Sequence, residues 1–311
     1  MKNYTKIKDI SNLRDIIKEA ILLKMNPFEY MHLGKNRTLV MLFFNASLRT
    51  RLSTEKAAKN LGMEVTILNI NDAWQLEFED GTIMNANTSE HIKEATQVIS
   101  QYADVIAIRA FPSLTNKKKD ESELVLNGFL KYANVPIINM ESSTSHPLQA
   151  LADAITITEL AEKPKPKVVL SWAPHPKALP HAVANSFVEM MQLMDVDLTI
   201  TQPEGYELNT EITKHTEINY DQEDALKNAD FVYVKNWSSY NDYGKILNQD
   251  SNWMMTKKKL GNAKFMHCLP LRRNVVVEDA ILDGDNSIVI QQANNRTYAA
   301  QIVLKSILEG L

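Results

Sequence analysis

Apolar positions follow two rhythms along this chain. Short unbroken runs, such as Thr38-Leu39-Val40-Met41-Leu42-Phe43-Phe44, read as parallel strands buried on both faces. Between such runs, apolar residues recur every three or four positions. Leu13, Ile16, Ile17, Ala20 and Ile21 place a helix over residues 9–23. Thr54, Ala57, Ala58 and Leu61 share one face of a second helix, which Gly62 ends. The same reading predicts strands over 65–70, 104–109 and 135–140, the last near a sheet edge because of Pro136. Helices are predicted over 90–102, 123–132 and 147–160, and residues 116–119 read as a basic surface loop. Further on, strands fall over 168–172, 197–201, 230–235, 264–267 and 287–290, with a helix running to Met194 and a closing helix over 294–308. Strand and helix alternate in both halves, so the fold class is α/β, with two domains that are each a parallel sheet flanked by helices. The Pro/Lys run Glu162-Lys163-Pro164-Lys165-Pro166-Lys167 interrupts the alternation and marks the boundary, with residues 1–161 before it and 162–293 after it. Residues 71–89 are polar and aperiodic around Trp74 and Phe78, a length of irregular chain that points to function or mobility.

Composition narrows the classes. A chain of 311 residues suits two domains, at roughly 150 residues each. A net charge of −4 gives no reason to expect nucleic acid or an anionic membrane as partner. No apolar run reaches the roughly 20 residues of a membrane span, and the first residues lack the apolar core of a leader. The expected location is the cytoplasm. The single cysteine, Cys268, leaves no internal disulfide framework. No histidine pair stands at ligand spacing beside a carboxylate, so no metal is expected. With 9 glycines and neither a G-x-G-x-x-G nor a G-x-x-x-x-G-K-[ST] stretch, no nucleotide cofactor is expected.

The candidate chemistry starts where the first strand ends. Asn45-Ala46-Ser47-Leu48-Arg49-Thr50-Arg51 lies on a turn from a strand's carboxyl end into a helix's amino end, where ligands bind in open α/β sheets. Unpaired N–H groups and the positive end of the helix dipole meet there. Ser47 and Thr50 add hydroxyls, and Arg49 adds a planar fork suited to phosphate oxygens. An ordinary Ser47 cap followed by solvated arginines is the plainer alternative. Other polar residues also fall after strands: Arg109, Glu141 with His146 and Gln149, His175 with Lys177, Lys235, and His267-Cys268-Leu269-Pro270 with Arg272; Arg296 opens the last helix. In parallel sheets they are expected to converge on a cleft, where cations suit an anionic substrate and charge developing in reaction. His146 could equally cap a helix and Cys268 be a small buried residue. His267 and Cys268, as strand neighbours, point to opposite faces and make a poor base–nucleophile pair.

Ser47-Leu48-Arg49-Thr50-Arg51, His146-Pro147-Leu148-Gln149 and His267-Cys268-Leu269-Pro270, in that order and at these separations, resemble the aspartate/ornithine carbamoyltransferase family over nearly the whole chain. The resemblance implies that Ser47, Leu48, Arg49, Thr50 and Arg109 hold the phosphate of carbamoyl phosphate, with Arg296 completing the site. His146 and Gln149 would contact the carbamoyl group, and main-chain carbonyls around Cys268 and Leu269 would hold its NH2. The catalytic residues so implied are His146, Arg109 and Cys268. An uncharged amine attacks the carbamoyl carbon and phosphate leaves, with no covalent enzyme intermediate. The resemblance further implies a homotrimer in which Trp74 reaches a neighbour's carbamoyl phosphate site. It also implies a closing helix, 294–311, that returns to the first domain.

The same resemblance bears on the acceptor. Enzymes of the family that use ornithine carry Asp-x-x-x-Ser-Met-Gly in the second domain, where this chain has Lys235-Asn236-Trp237-Ser238-Ser239-Tyr240. The mobile loop has Trp74 and no lysine, unlike the aspartate enzymes. Both features, and Trp172-Ala173-Pro174-His175-Pro176-Lys177, are similar to the branch that uses α-N-acylated ornithine in arginine biosynthesis. Acylation removes the α-ammonium, so no aspartate is needed to pair with it. Lys235 would take the α-carboxylate and Glu141 the α-nitrogen. Lys177, with His175 and Arg272 nearby, would supply a cation for a succinyl tail. Ser89, before Glu90-His91, adds no negative charge. The expected acceptor is N-succinyl-L-ornithine, with N-acetyl-L-ornithine as the alternative and plain ornithine third.

Overall fold

The computed structural model describes residues 1–70 and 74–311. By their contacts these form two units, residues 1–113, 117–148 and 296–311, and residues 114–116 and 149–295. Each carries its own parallel sheet, as alternating strands and helices predict.

In the first unit the strand order is β2-β1-β5-β6, with β1 at Thr38–Phe43, β2 at Glu64–Asn69, β5 at Val105–Arg109 and β6 at Ile137–Glu141. β6 is an edge strand, and Pro136 stands just before it, where its missing N–H costs no ladder bond. β1 runs between two neighbours and is buried on both faces, as its unbroken apolar run requires. β2 is different: its side chains are mostly exposed, because it lies at the other edge. Helices α1 (Leu13–Met25), α2 (Arg49–Asn60), α3 (Ile92–Tyr102) and α4 (Leu124–Tyr132) flank the sheet. The Thr54, Ala57, Ala58 and Leu61 face of α2 is fully buried. Gly62 ends that helix at φ +84, and a Cβ there would stand 2.2 Å from the Met31 carbonyl oxygen, so no other residue fits. A core of Val40, Leu42, Ile92, Ile106, Ile108 and Phe129 fills the α3–α4 side. Residues 116–119 are not simply loop; a short helix, Lys117–Glu121, includes the three lysines. A separate ribbon pairs β3 (Leu76–Glu77) with β4 (Glu90–His91).

In the second unit the order is β11-β10-β7-β8-β9. The strands are β7 (Lys167–Trp172), β8 (Asp197–Thr201), β9 (Glu217–Asn219), β10 (Phe231–Lys235) and β11 (Lys264–Met266). β10 and β7 are the central pair, and Val169, Val232, Val234, Phe265, Met255 and Val277 build the core on one side. Helix α6 (Ala182–Met191) is buried over nearly its whole length. Helix α5 (Pro147–Leu160) contains the division between the units by contact, which falls after Leu148. Along this part of α5, Asp153, Thr156 and Glu159 all bond to Gln292 or Asn295 of the same unit.

Residues 287–290 are not a strand. Ser287 makes one parallel bridge to Phe265, and helix α7 (Val289–Leu308) begins two residues later. The apolar run Ile288-Val289-Ile290 is as compatible with a buried helix start as with a strand. From Arg296 onward α7 belongs to the first unit. Gln301 bonds Asn60 and the Pro27 carbonyl, and Lys305 pairs with Glu19 on α1. The last helix thus returns to the amino-terminal unit.

Candidate functional site

In the first unit, parallel register brings the carboxyl ends of three strands to one edge. Phe43 pairs with Arg109, and Arg109 with Glu141 across a register shift that follows Ile108. The turn after β1 then enters α2 at Arg49. Ser47 Oγ accepts from the Thr50 N–H at 3.3 Å, so its capping role exists in weak form. Leu48 is exposed, Arg49 is half-buried and Thr50 is buried. Arg296, from 246 positions further on, donates through Nη2 to Thr50 Oγ1 at 2.6 Å. A cavity of about 230 Å³ opens here, lined by Phe44, Asn45, Ala46, Ser47, Arg51 and Asn69.

Arg109 is the organiser of this edge. It is buried, and its Nη1 donates to the carbonyls of Asn45 at 2.9 Å and Ala46 at 2.7 Å. Nε and Nη2 reach Glu141 Oε2 at 3.2 and 3.1 Å. The guanidinium lies over the Phe111 ring at 4.1 Å. Burial lowers its pKa from the ordinary arginine value, Glu141 opposes that shift, and the neighbouring charge of Arg49 adds to it. The group remains a cation in any case. Arg49, Arg109 and Arg296 with the α2 amino terminus concentrate positive potential around Ser47 and Thr50, an arrangement suited to a phosphate.

The same Glu141 oxygen lies 3.5 Å from His146 Nε2, and both side chains are buried. The loop between them is pinned from outside. Glu123, at φ 51, accepts from Ser142 Oγ at 2.8 Å, Ser143 N at 3.1 Å, Thr144 N at 2.8 Å and Thr144 Oγ1 at 2.6 Å. Four donors on one carboxylate, held by a left-handed residue, hold the path from β6 to His146.

Trp74 and Ser89 stand apart, exposed, where the β3–β4 ribbon begins. Trp74 Nε1 donates to Glu90 Oε2 at 2.8 Å, and Ser89 N donates to the Gln75 carbonyl. Neither bonds to the Arg109 group. Asn71, Asp72 and Ala73, the start of the irregular 71–89 segment, lie outside the described residues.

The second unit gathers its candidates at the ends of β7, β10 and β11. Lys235 ends β10 beside Trp172, and it is buried. After β7 the proline-flanked loop is fastened to the chain after β10. Asn236 Nδ2 donates to the carbonyls of Ala173 and Pro174, and Trp172 Nε1 donates to the Trp237 carbonyl at 2.9 Å. Arg272 Nε faces His175 Nε2 at 3.3 Å. Because an arginine N–H only donates, His175 Nε2 accepts, and Nδ1 lies 2.9 Å from the Lys177 carbonyl oxygen and 3.1 Å from the Lys177 nitrogen. Burial lowers the His175 pKa, the bond to the Lys177 carbonyl opposes that, and the charges of Arg272, Lys235 and Lys177 lower it further. The Lys177 amine is exposed. Beside His175 a cavity of about 240 Å³ is lined by Pro174, Pro176, Ser251, Met254, Asn274 and Val275.

Cys268 is half-buried, just past the end of β11 and not within the strand, where burial of a small apolar residue would have put it. His267 Nδ1 accepts from Leu269 N at 2.8 Å, and Leu269 has φ 55, with a cis bond to Pro270. His267 Nδ1 is therefore committed to the turn. Gln149 is buried and donates to Asp153 at 2.7 Å. Among the described residues no group of three or more His, Cys, Asp and Glu side chains is placed to hold a metal ion, and no helix is long and apolar enough to cross a membrane. Glu123, Asp153 and Gln292 are the site-supporting residues that the motifs do not point to. The i, i+4 spacing of Gln149 and Asp153 on an otherwise apolar helix is a signal that could have found one of them.

Residues 2–159 match the family domain described as aspartate/ornithine carbamoyltransferase, carbamoyl-P binding domain, and residues 180–307 match the Asp/Orn binding domain of the same family. The chain is 47% identical to the N-succinylornithine carbamoyltransferase of Bacteroides fragilis over 317 aligned residues, covering 100% of both. It is 37% identical to the N-acetylornithine carbamoyltransferase of Xylella fastidiosa, over 93% of this chain and 94% of that one. Among solved structures it is similar, with a TM-score of 0.93 and 34% identity over 99% of this chain and 100% of the other, to a glutamate-to-serine variant of an N-acetyl-L-ornithine transcarbamylase complexed with carbamyl phosphate and N-succinyl-L-norvaline.

Proposed function

Since the chain belongs to the aspartate/ornithine carbamoyltransferase family, we propose that it transfers the carbamoyl group of carbamoyl phosphate to the δ-amine of N-succinyl-L-ornithine, giving N-succinyl-L-citrulline and phosphate in arginine biosynthesis. The observation that carries the acceptor is the full-length 47% identity to an N-succinylornithine enzyme, against 37% for an N-acetylornithine enzyme. Three features of this chain support it. Ser89 brings no charge, and the nearby Glu90 carboxylate is already held by the Trp74 indole. The cavity beside His175 offers room for a tail longer than acetyl. A serine-for-glutamate variant of an acetyl enzyme was complexed with an N-succinyl amino acid.

The phosphate is assigned to Ser47, Leu48, Arg49, Thr50, Arg109 and Arg296, and Trp74 is assigned to a neighbouring copy's donor in a homotrimer. His146, Gln149 and the carbonyls at Cys268 and Leu269 take the carbamoyl group. Glu141, Lys235, His175, Lys177, Arg272 and Ser89 take the acylornithine, in a cytoplasmic enzyme without cofactor or metal. The unprotonated δ-nitrogen attacks the carbamoyl carbon, the new C–N bond replaces the C–O bond to phosphate, and the proton the amine sheds is balanced on the departing phosphate. Arg109 and the α2 amino terminus stabilise the charge that grows on that phosphate, and because burial already holds Arg109 in place, little reorganisation is needed. N-acetyl-L-ornithine is the second reading, favoured by the fold match to the acetyl enzyme.

The test is product release from carbamoyl phosphate with ornithine, acetylornithine and succinylornithine side by side. Succinylornithine should lead by roughly tenfold or more in kcat/KM, the scale of one charge-assisted hydrogen bond to the extra carboxylate. A lead for acetylornithine overturns the acceptor and leaves the carbamoyl transfer intact.

A further inference from the structure

The second unit contains a buried carboxylate that the reaction does not touch. Asp153, on α5, is fully buried, and one of its oxygens, Oδ1, accepts from two amides at once. Gln149 Nε2 lies at 2.7 Å and Gln292 Nε2 at 2.7 Å. Gln292 is also fully buried, and its Oε1 accepts from the His267 N–H at 2.9 Å. His267 in turn holds the Leu269 N–H on Nδ1. A chain of four bonds thus runs from Gln149 through Asp153 and Gln292 to the turn that carries Cys268 and Leu269.

The chemistry of the pairs sets their direction. A carboxylate only accepts, so the NH2 ends of both glutamines must face Asp153. Gln149 then has its carbonyl oxygen turned away from Asp153. Gln292 likewise has its carbonyl oxygen committed to the His267 N–H. Without the carboxylate, the Gln149 amide loses the acceptor that fixes which end it offers and can take the reversed orientation, while Gln292 keeps only the bond from the His267 N–H. In a buried setting such a wrong orientation is expensive, because each misdirected polar group loses its partner.

We propose that Asp153 is a positioning residue that orients both sets of acceptors for the carbamoyl NH2, the Gln149 side-chain oxygen directly and the carbonyls around Cys268 and Leu269 through Gln292. This rests on the functional reading above. Asp153 touches no substrate. It acts by fixing which end of Gln149 is offered, and by holding His267, and with it the following turn, in register with that oxygen.

The test compares the wild type with Asp153→Ala, Asp153→Asn, Gln149→Ala, the double Asp153→Ala/Gln149→Ala and Gln292→Leu. Kinetics are read against each substrate separately, with thermal unfolding alongside. Asp153→Ala should lower kcat/KM for carbamoyl phosphate by on the order of a hundredfold, as two charge-assisted bonds are lost. The KM for succinylornithine should stay within about twofold, since no acceptor-binding residue is moved. Asp153→Asn keeps one carbonyl oxygen in place and should recover to within roughly tenfold of wild type. The double variant should fall well short of the product of the two single losses, because Asp153 works partly through Gln149. Multiplying losses, or equal losses on both substrates that track a fall in Tm, overturn the proposal. If Asp153→Ala does not fold, Gln292→Leu decides: an unchanged carbamoyl phosphate KM and kcat would remove the relay. No turnover by the wild type takes down the functional reading and this inference with it. An active wild type with unaffected variants takes down this inference alone.

Discussion

The two units hold their chemistry-bearing residues by different means. In the first, the organiser is a charge. Arg109 binds Glu141, the carbonyls of Asn45 and Ala46 and the face of Phe111, and Glu141 reaches on to His146. In the second, the organisers around β7, β10 and β11 are mostly neutral: amides on main-chain carbonyls, indoles on carbonyls, and a histidine that accepts from Arg272. The contrast matches what each half is asked to bind. A phosphate needs concentrated positive potential, which is cheap to maintain only if the cations are already paired and immobile. An acylated amino acid is larger and less charged, and shape with a few directed donors suffices to select it.

The contrast can be broken hardest at Arg109. Replacing it, Arg109→Ala, leaves Glu141 buried without its main partner, and should cost about 3–5 kcal/mol in urea unfolding. The kcat/KM for carbamoyl phosphate should fall by roughly 10²–10³-fold or more. A variant as stable as wild type would mean that the first unit is not organised by this charge. Next in size is Glu123, which acts on the same unit from the outside. Glu123→Ala removes four accepted bonds, and should cost on the order of 1–3 kcal/mol with a matching fall in kcat. Glu123→Gly loses the same bonds but relieves the left-handed backbone, and should unfold less easily than the alanine variant by about 0.5–1 kcal/mol. Equal stabilities would locate the whole effect in the carboxylate.

The smallest effect is expected in the second unit, and it sharpens the comparison by pH. Burial and the facing cations lower the pKa of His175 below the ordinary histidine value. A base with a depressed folded pKa binds fewer protons folded than unfolded. Its contribution is therefore complete above the unfolded value of about 6.5, and is lost as pH falls through the lower folded value. The fall in Tm between pH 6.5 and 5 should be shallower in His175→Gln than in wild type. An identical slope would mean that the imidazole beside Arg272 gains nothing from staying neutral.

Much of the first unit was readable from neighbours in the chain. Two hydroxyls and two arginines within five residues, after a run of seven residues without a charge, specify a strand, a turn and a polar, cationic helix start together. Arg109 was readable as the last residue of a buried run. Glu123 was not, because nothing near it in the chain calls for an acceptor: the donors lie about twenty residues on, and only the fold brings them back. Trp74 stands out in the chain as a large aromatic in an irregular segment, but its indole is held by Glu90 across a ribbon that no periodicity announces. The end of the chain misled for the opposite reason. Ile288-Val289-Ile290 has no polar punctuation, so strand and helix were equally open; in the fold Ile288 and Val289 are buried, Ile290 is exposed, and the helix they open is buried mainly from Asn295 onward.

Local order along the chain was enough to specify where strands end, which residues stand there, and that hydroxyls and arginines gather where the first turn enters a helix. Such features depend on contacts within a few residues, whose energies the chain carries with it wherever it goes. Folding alone specified which distant groups complete them, as Arg296 meets Thr50 across 246 positions and Gln292 meets Asp153 across 139. A hydrogen bond at that separation has no trace in the spacing of its partners, because its geometry exists only once packing has removed water and brought the two helices together.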